Sequence, residues 1–400
     1  MKKIVSMFLA VMMIATLLVG CGGKKTSGSD AASSDFKVGA IYINSQSDTA
    51  GYTFAHHNGI TKAMDKLGLS KENLYIVDNV AEDYTAVSNA IDTLAGKGCK
   101  IIFGISFGYI DAFNDAAAKD EYADIVFSHA TGYMSNDKNF NNYFGRIYQA
   151  RYLAGIAAGL KSLESGNNKI GYVSAWGTEY AETCSGINGF ALGAMSVNPD
   201  ATVTVKKIST WGDEALERQA AEYLLTTEGC GIVAQHCDSA QPQLVAQEQN
   251  AFGCGYNSDM SVQAPKAHLT APVWNWDVYY ALAIKTAMED KDNFMSVVGN
   301  YYGGLKEGFV DISPITDNCA AGTQECIDLA KELMINGSWD VFSGVKLSFV
   351  NDNGTWTVEK TDDALVTNDG TQVVAAGGAS VEDGVITGSM NYYVQGVTEK

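Results

Sequence analysis

Short apolar runs alternate along this chain with longer stretches in which apolar positions recur every three or four residues. The run 36–43 (Phe-Lys-Val-Gly-Ala-Ile-Tyr-Ile) predicts a buried strand, and 44–57 a loop leading into a helix over 58–67. Strands follow at 73–80, 100–106 and 124–130, with helices at 83–97 and 109–119 between them. A helix over 149–163, rich in Ala and Gly, suits close packing. The cycle then restarts: strands at 169–175, 201–209, 231–236 and 252–257, helices at 180–195, 213–227 and 240–250. Strands alternating with helices of this length predict βαβ units around parallel sheets, and two runs of them predict two doubly wound lobes. A strand at 267–273 precedes a helix over 278–290, which is expected to cross back to the first lobe. The ending changes character. Segments 343–350 and 355–360 flank Asn351-Asp-Asn-Gly354 and predict a hairpin. Residues 362–400, rich in Gly, Asn and Thr, predict a second hairpin or a partly ordered tail.

The N-terminus follows a different pattern. Met1-Lys-Lys precedes a nearly unbroken apolar run over 4–19, too short and wrongly flanked for a membrane span. It ends in Leu18-Val-Gly-Cys21, which looks like a bacterial lipobox. Cleavage before Cys21 and lipidation of its thiol would anchor the chain to a membrane surface through a flexible tether over 22–34.

Composition narrows the function. The 400 residues carry a formal net charge of −19, which disfavours nucleic acid, bound largely through Lys and Arg on phosphates. The same charge disfavours an anionic bilayer beyond the lipid itself. Leaving Cys21 aside, seven cysteines remain, with no Cys-x-x-Cys pair, so a zinc site of ordinary spacing is not expected. Cys99, Cys230 and Cys254 fall within apolar runs as small core residues; Cys319 and Cys326 flank a loop that a disulfide could close.

The candidate chemistry gathers where strands end. In open α/β sheets, ligands bind outside the carboxyl ends of the strands. The loop after the first strand brings Tyr52, Phe54, His56 and His57; Tyr52 is read as a ligand contact and Phe54 as packing. Other strand ends bring Ser106 and Phe107, His129 to Tyr133, Trp176 to Glu179, Trp211 to Asp213, His236 with Asp238 and Ser239, and Tyr256 with Asn257. A last return brings Trp274 to Asp277. Asp213 reads as a helix N-cap. Rings with hydrogen-bonding tips suit a flat, polar heteroaromatic ligand. No His-Glu-x-x-His, P-loop or dinucleotide fingerprint occurs. Cys237 beside His236 on a strand would face the opposite way, so no thiol–imidazole pair is expected. An enzyme is therefore not expected, nor a cofactor or metal.

The segments Gly51-Tyr-Thr-Phe-Ala-His56, Ser106-Phe-Gly108, His129-Ala-Thr-Gly-Tyr133, Arg151-Tyr-Leu-Ala-Gly155, Ser196-Val-Asn-Pro199, Gln235-His236, Tyr256-Asn-Ser-Asp259, His268-Leu-Thr270 and Gly304-Leu-Lys-Glu-Gly-Phe-Val-Asp311 together resemble the basic membrane protein family. These are substrate-binding lipoproteins of ABC importers for purine nucleosides and related compounds. The resemblance covers residues 36 to 344. It implies a type I periplasmic-binding-protein fold: two Rossmann-like lobes joined by a three-strand hinge and closing on ligand. The implied division is a signal peptide over 1–20, a tether over 21–35, a first lobe over 36–146 plus about 275–315, a second over 147–274 plus about 316–360, and an extension over 361–400.

The resemblance also implies site roles. Two aromatics sandwich the base in family nucleoside binders, and these match Tyr52 and Trp211. The acid that reads the base edge is replaced here by Asn257, and the lysine that holds ribose by Trp274. A Trp cannot make charge-assisted bonds to ribose but can fill the sugar's space. The implied ligand is thus a free purine base such as adenine or hypoxanthine, with Asp238 and Asn257 on its polar edge and Ser106, Phe107 and His236 around it. The implied partners are the permease subunits, and the protein is expected to be a monomer held outside a bacterial cell membrane. A nucleoside or riboflavin is the alternative ligand, and a ligand sensor or adhesin without transport the alternative role.

Overall fold

A computed structural model describes residues 35–400; Cys21, the leader and nearly all of the tether lie outside the described residues. The first lobe is built on β1 (Val38–Tyr42), β2 (Leu74–Val77), β3 (Ile101–Ile105), β4 (Val126–Ala130) and β5 (Phe140–Gly145). The second is built on β6 (Lys169–Ser174), β7 (Thr202–Lys207), β8 (Ile232–His236), β9 (Phe252–Cys254) and β10 (His268–Thr270). The chain then makes β11 (Pro272–Trp274), β12 (Tyr301–Gly303), β13 (Val310–Ile312), the hairpin β14 (Val345–Asp352) and β15 (Thr355–Asp362), the short pair β16 (Leu365–Val366) and β17 (Gln372–Val374), and β18 (Val397–Glu399). The first sheet runs β12-β5-β4-β3-β1-β2 and the second β10-β9-β8-β6-β7-β18, with every pairing parallel. β1, β3, β4 and β8 are buried along their whole length, as strands covered by helices on both faces must be.

The helices that position the site are α1 (Gly51–Lys66), α2 (Tyr84–Gly96), α3 (Ile110–Ala117), α4 (Ile147–Ser165), α5 (Ala181–Val197), α6 (Glu214–Glu222), α7 (Gln241–Glu248) and α8 (Trp276–Glu289). α4 and α5 touch backbone to backbone. A Cβ added at Gly155 would lie 2.1 Å from the Phe190 carbonyl, and one at Gly193 2.0 Å from the Tyr152 carbonyl, so only glycine fits at these crossings. α8 returns to the first lobe. Tyr279 hydrogen-bonds Ser128 (2.6 Å) on β4 and Asn141 (2.9 Å) on β5, and Tyr280 bonds His56 (2.6 Å) on α1. The chain passes between the lobes at Arg146, at Asn275 and between Gly303 and Val310. These crossings lie side by side: β11 pairs antiparallel with β13, the Asn275 amide donates to Phe309, and the Arg146 amide donates to Gly303. They form the hinge of a type I periplasmic-binding-protein fold.

Three expectations change. The loop after β1 is short: Ala50 is the N-cap and Gly51, at φ +84°, opens α1. Tyr52, Phe54, His56 and His57 are thus helical, and Thr53, His56, Ile60, Ala63 and Met64 form its buried stripe. β5 went unread because Phe-Asn-Asn-Tyr-Phe-Gly is too polar for an apolar-run test, although Asn141 is buried and bonded to Tyr279. The tail forms the expected second hairpin, β16 antiparallel with β17, but also goes beyond it: β18 adds a strand beside β7, pairing Val397 with Val203. No cysteine is paired; all seven among the described residues are free, Cys319 and Cys326 included.

Candidate functional site

In each lobe the chain runs from its first strand to a neighbour on one side, then returns to the other side. The reversal falls between β1 and β3 in the first lobe and between β6 and β8 in the second. A crevice opens at such a point, beyond the carboxyl ends of the two strands. The two crevices face each other. A Cβ built on Gly51 would lie 2.9 Å from the Asp238 carbonyl, and the rings of Phe107 and Tyr180 approach to 6.3 Å from opposite lobes.

Asp238, two residues past β8, connects the most groups. Its amide donates to the Trp211 carbonyl (3.0 Å), its carboxylate accepts from Asn257 Nδ2 (2.9 Å), and the Tyr52 amide donates to it from the first turn of α1. Burial and then the Glu217 carboxylate push Asp238 up to about 7, against those two hydrogen bonds. Asn257, buried and at φ +64°, holds its side chain toward Asp238, and its Oδ1 has no partner. The Tyr52 hydroxyl is likewise buried without a partner. Unbonded polar atoms in an interior are costly, and two of them lie near this one carboxylate.

The other residues singled out from the sequence fall around this centre. Trp211 is 37% exposed, with its ring 6.0 Å from those of Tyr180 and His236. His236 is fully buried, donates from Nε2 to Glu182 (2.9 Å) and receives the Tyr172 hydroxyl at Nδ1 (3.3 Å). Ser106 donates to Glu82 (2.5 Å), which also takes the Gly108 amide. Phe107 is half-exposed at the rim, its ring also 6.3 Å from that of Tyr133. Trp274 is buried, stacks on Trp276 at 4.6 Å and donates to Tyr256 (3.3 Å). The stack continues from Trp276 to His56 at 3.8 Å, and Tyr52 meets His56 edge-on at 4.3 Å. The structure therefore joins Tyr52, Trp211, His236, Asp238 and Asn257 through direct contacts. Ser106 and Phe107 stand on the opposite wall, and Trp274 lies behind Tyr256.

Sequence reasoning missed Glu82, Glu182, Tyr180 and Arg151 as parts of this cleft. Arg151 is fully buried on α4. Its Nη1 donates to the Gln235 carbonyl (2.6 Å), and its guanidinium lies 3.8 Å over the Tyr256 ring. Nε and Nη2 have no partner. Burial alone would raise the Glu182 carboxyl, but His236 and Arg151 together hold it below its ordinary value; burial, then Arg151, lowers His236. Among the described residues no three His, Cys, Asp or Glu converge as metal ligands. Asp213 is the N-cap of α6, accepting from the Ala215 and Leu216 amides at 3.0 Å. Burial and then Glu217 push the Cys237 thiol well up, as befits a core residue.

Two lobes, facing crevices and a crossing-strand hinge make a fold of the kind found in solute-binding proteins. The family model described as ABC transporter substrate-binding protein PnrA-like (Bmp) matches residues 36–338, and the chain belongs to that family. A purine-binding protein of Brucella abortus is 32% identical over 97% of this chain and 99% of its own. A Haloferax volcanii protein provisionally named as the glucose-binding protein of an ABC transporter is also 32% identical, over 76% of this chain and 73% of its own. Among solved structures, an ABC transporter solute-binding protein of Conexibacter woesei superposes with a TM-score of 0.59 at 18% identity, covering 76% of this chain and 98% of that one. This chain is thus a substrate-binding component of an ABC transporter, a class that works outside the cytoplasm, and not a member of an enzyme family. No helix among the described residues is long and apolar enough to cross a membrane.

Proposed function

We propose that this protein captures a purine base, of the adenine or hypoxanthine kind, between its lobes and delivers it to the permease of an importer. The observation that carries this reading is the Asp238 centre. The Tyr52 amide donates to the half-buried Asp238 carboxylate, the Asp238 amide donates to the Trp211 carbonyl, and the Tyr52 hydroxyl and Asn257 Oδ1 are buried with no partner. Aromatic residues next to a set of donors and acceptors suit a flat heterocycle with a polar edge. The near full-length relative named as a purine binder points the same way. A base is favoured over a nucleoside because Trp274 stands where family nucleoside binders carry a lysine, and its indole N–H is already given to Tyr256. Cys21 carries the lipid that keeps the protein at the outer face of the membrane.

The test is thermal unfolding of a leaderless protein with purine bases, nucleosides, pyrimidines, riboflavin and glucose. A ligand that binds only the folded state stabilises it by RT ln(1 + [L]/Kd), about 2.7 kcal/mol at a hundredfold excess over Kd. A large shift with adenine or hypoxanthine and little with adenosine or inosine is expected. A shift with nucleosides would reassign Trp274, and a shift with glucose or riboflavin alone would overturn the purine reading. Mass spectrometry of the membrane-extracted protein would show a diacylglyceryl group on Cys21, or its absence.

A further inference from the structure

The two crevices occupy equivalent places in the two lobes, which makes their residues comparable one to one. α1 follows β1, and its first turn presents Tyr52. α5 follows β6, and its first turn presents Glu182. Across each crevice from the helix stands the end of the neighbouring strand, with Ser106 one residue past β3 in the first lobe and His236 the last residue of β8 in the second. Glu182 bonds His236 directly across its crevice at 2.9 Å. That bond uses Oε1, and its donor fixes the ring as the Nε2–H form when neutral, since a carboxylate only accepts. The Glu182 side chain keeps 17% exposure, whereas His236 keeps none. Among the described residues, Oε2 makes no hydrogen bond or ion pair to a side chain. The charge is supported from beneath by buried Arg151 and from the side by His236, an arrangement that keeps a partly buried carboxylate ionised.

We propose that Glu182 is the acid that reads the ligand: its free oxygen accepts a hydrogen bond from an N–H of the bound heterocycle, with His236 as the residue that aims it. This inference rests on the purine reading above. It assigns the edge-reading role, which Asn257 cannot fill as an acid, to a residue on the other side of the same crevice. A carboxylate only accepts hydrogen bonds, so the site selects rings that present an N–H there and rejects those in which that nitrogen carries a methyl group. The loss of a hydrogen bond to a charged group, with one carboxylate oxygen left without a partner in the closed cleft, makes that rejection steep.

The experiment is calorimetric titration of the leaderless protein with the purine base that binds it and with each of that base's ring-N-methyl derivatives. Wild type, Glu182→Gln and Glu182→Asp are compared. Wild type is expected to reject one derivative at least tenfold more strongly than the others. Glu182→Gln is expected to weaken the parent base at least tenfold and to shrink that discrimination to within threefold, and Glu182→Asp to keep part of it. If Glu182→Gln weakens the parent base and every methyl derivative by one common factor, Glu182 is only the counter-ion of Arg151 and the inference is overturned. If it binds the parent base like wild type, the inference also falls while the purine reading stands. If wild type binds no purine, both fall together. Should Glu182→Gln fail to fold, Glu182→Asp and His236→Ala carry the test: one shortens the acid and the other removes the residue that aims it, so both are expected to shrink the discrimination at least threefold, and full discrimination in both would overturn the inference.

Discussion

The two crevices share a topology and differ in chemistry. Around the first, the polar groups are neutral or already bonded: the Tyr52 hydroxyl, the Ser106–Glu82 pair, and His129, which burial pushes down to about 4 and which bonds the Ser106 carbonyl. Its interior is a stack of rings, His56 on Trp276 on Trp274. Around the second, charges are interleaved with rings: Arg151 over Tyr256, Glu182 on His236, and Asp238 beside Asn257. The difference teaches a division of labour. A flat ligand needs a rigid apolar face and a set of directional partners, and one lobe supplies mostly the first while the other supplies mostly the second. Closure then completes the site, because the Tyr52 amide reaches Asp238 only when the lobes meet.

The comparison predicts that the second crevice is the more fragile. Arg151→Ala removes the cation that supports Glu182, its bond to Gln235 and its contact with Tyr256, and should cost about 3–5 kcal/mol in urea unfolding, the range for breaking a buried ionic cluster. Ser106→Ala removes one hydroxyl bond to a carboxylate that remains bonded to the Gly108 amide, and should cost only about 0.5–1.5 kcal/mol. Equal losses would break the contrast between the lobes.

A smaller effect separates binding from stability within the second lobe. Trp211 is 37% exposed, so Trp211→Ala should leave unfolding nearly unchanged while weakening purine binding by about 1–3 kcal/mol, the value of one stacked face. Asp213, two residues away, caps α6. Asp213→Ala should do the reverse, lowering stability by about 1 kcal/mol with little change in affinity. Titration and urea unfolding on both variants check the pair; a Trp211→Ala protein that loses stability and affinity alike would place Trp211 in the core.

How much of this was legible beforehand depends on the range over which a signal acts. Apolar runs and helical spacing are local, so the βαβ order, the return of α8 and the Asp213 cap could be read directly. Gly51 marked the start of α1 only in hindsight, because a glycine followed by Tyr-Thr-Phe reads equally well as loop, and the buried stripe that favours helix includes His56, a polar residue satisfied by Tyr280 on a distant helix. β5 hid for the same reason: its buried Asn141 is compensated by Tyr279 and Gly299, far along the chain. The short hairpin of the tail was legible, but β18 was not, since it needs the edge of β7 to become a strand. In the site, strand-end residues such as Asp238 stood out by position. Glu182 resembled an ordinary first-turn acid, and Arg151 a polar interruption in a small-residue helix; what sets them apart is each other and His236, which no spacing reveals. The signal that would have found Glu182 is the equivalence of the two crevices, given that Tyr52 had already been singled out.

The smallest effect tests whether the lobes meet at Asp238 without ligand. Its carboxyl stands at about 7, against an ordinary value near 3.8, chiefly through burial. A group raised in the folded state contributes stability that is complete below its unfolded value and is lost as pH rises through the folded one. Ligand-free wild type should therefore lose stability relative to Asp238→Asn between about pH 4 and pH 7, by a fraction of the roughly 1.4 kcal/mol per pH unit that one proton allows, since the residue is only half-buried. The difference between the two proteins is the quantity to measure. His129 and His268, both pushed down to about 4 by burial, oppose the trend in each protein alone and cancel between them. The Asn replacement still accepts the Tyr52 amide, so it removes the titration and keeps the contact. A difference curve flat from pH 4 to pH 8 would mean that Asp238 is hydrated when the cleft is unliganded. The carboxylate would then meet α1 only as the ligand draws the lobes together, and the second crevice would read its ligand before the first closes over it.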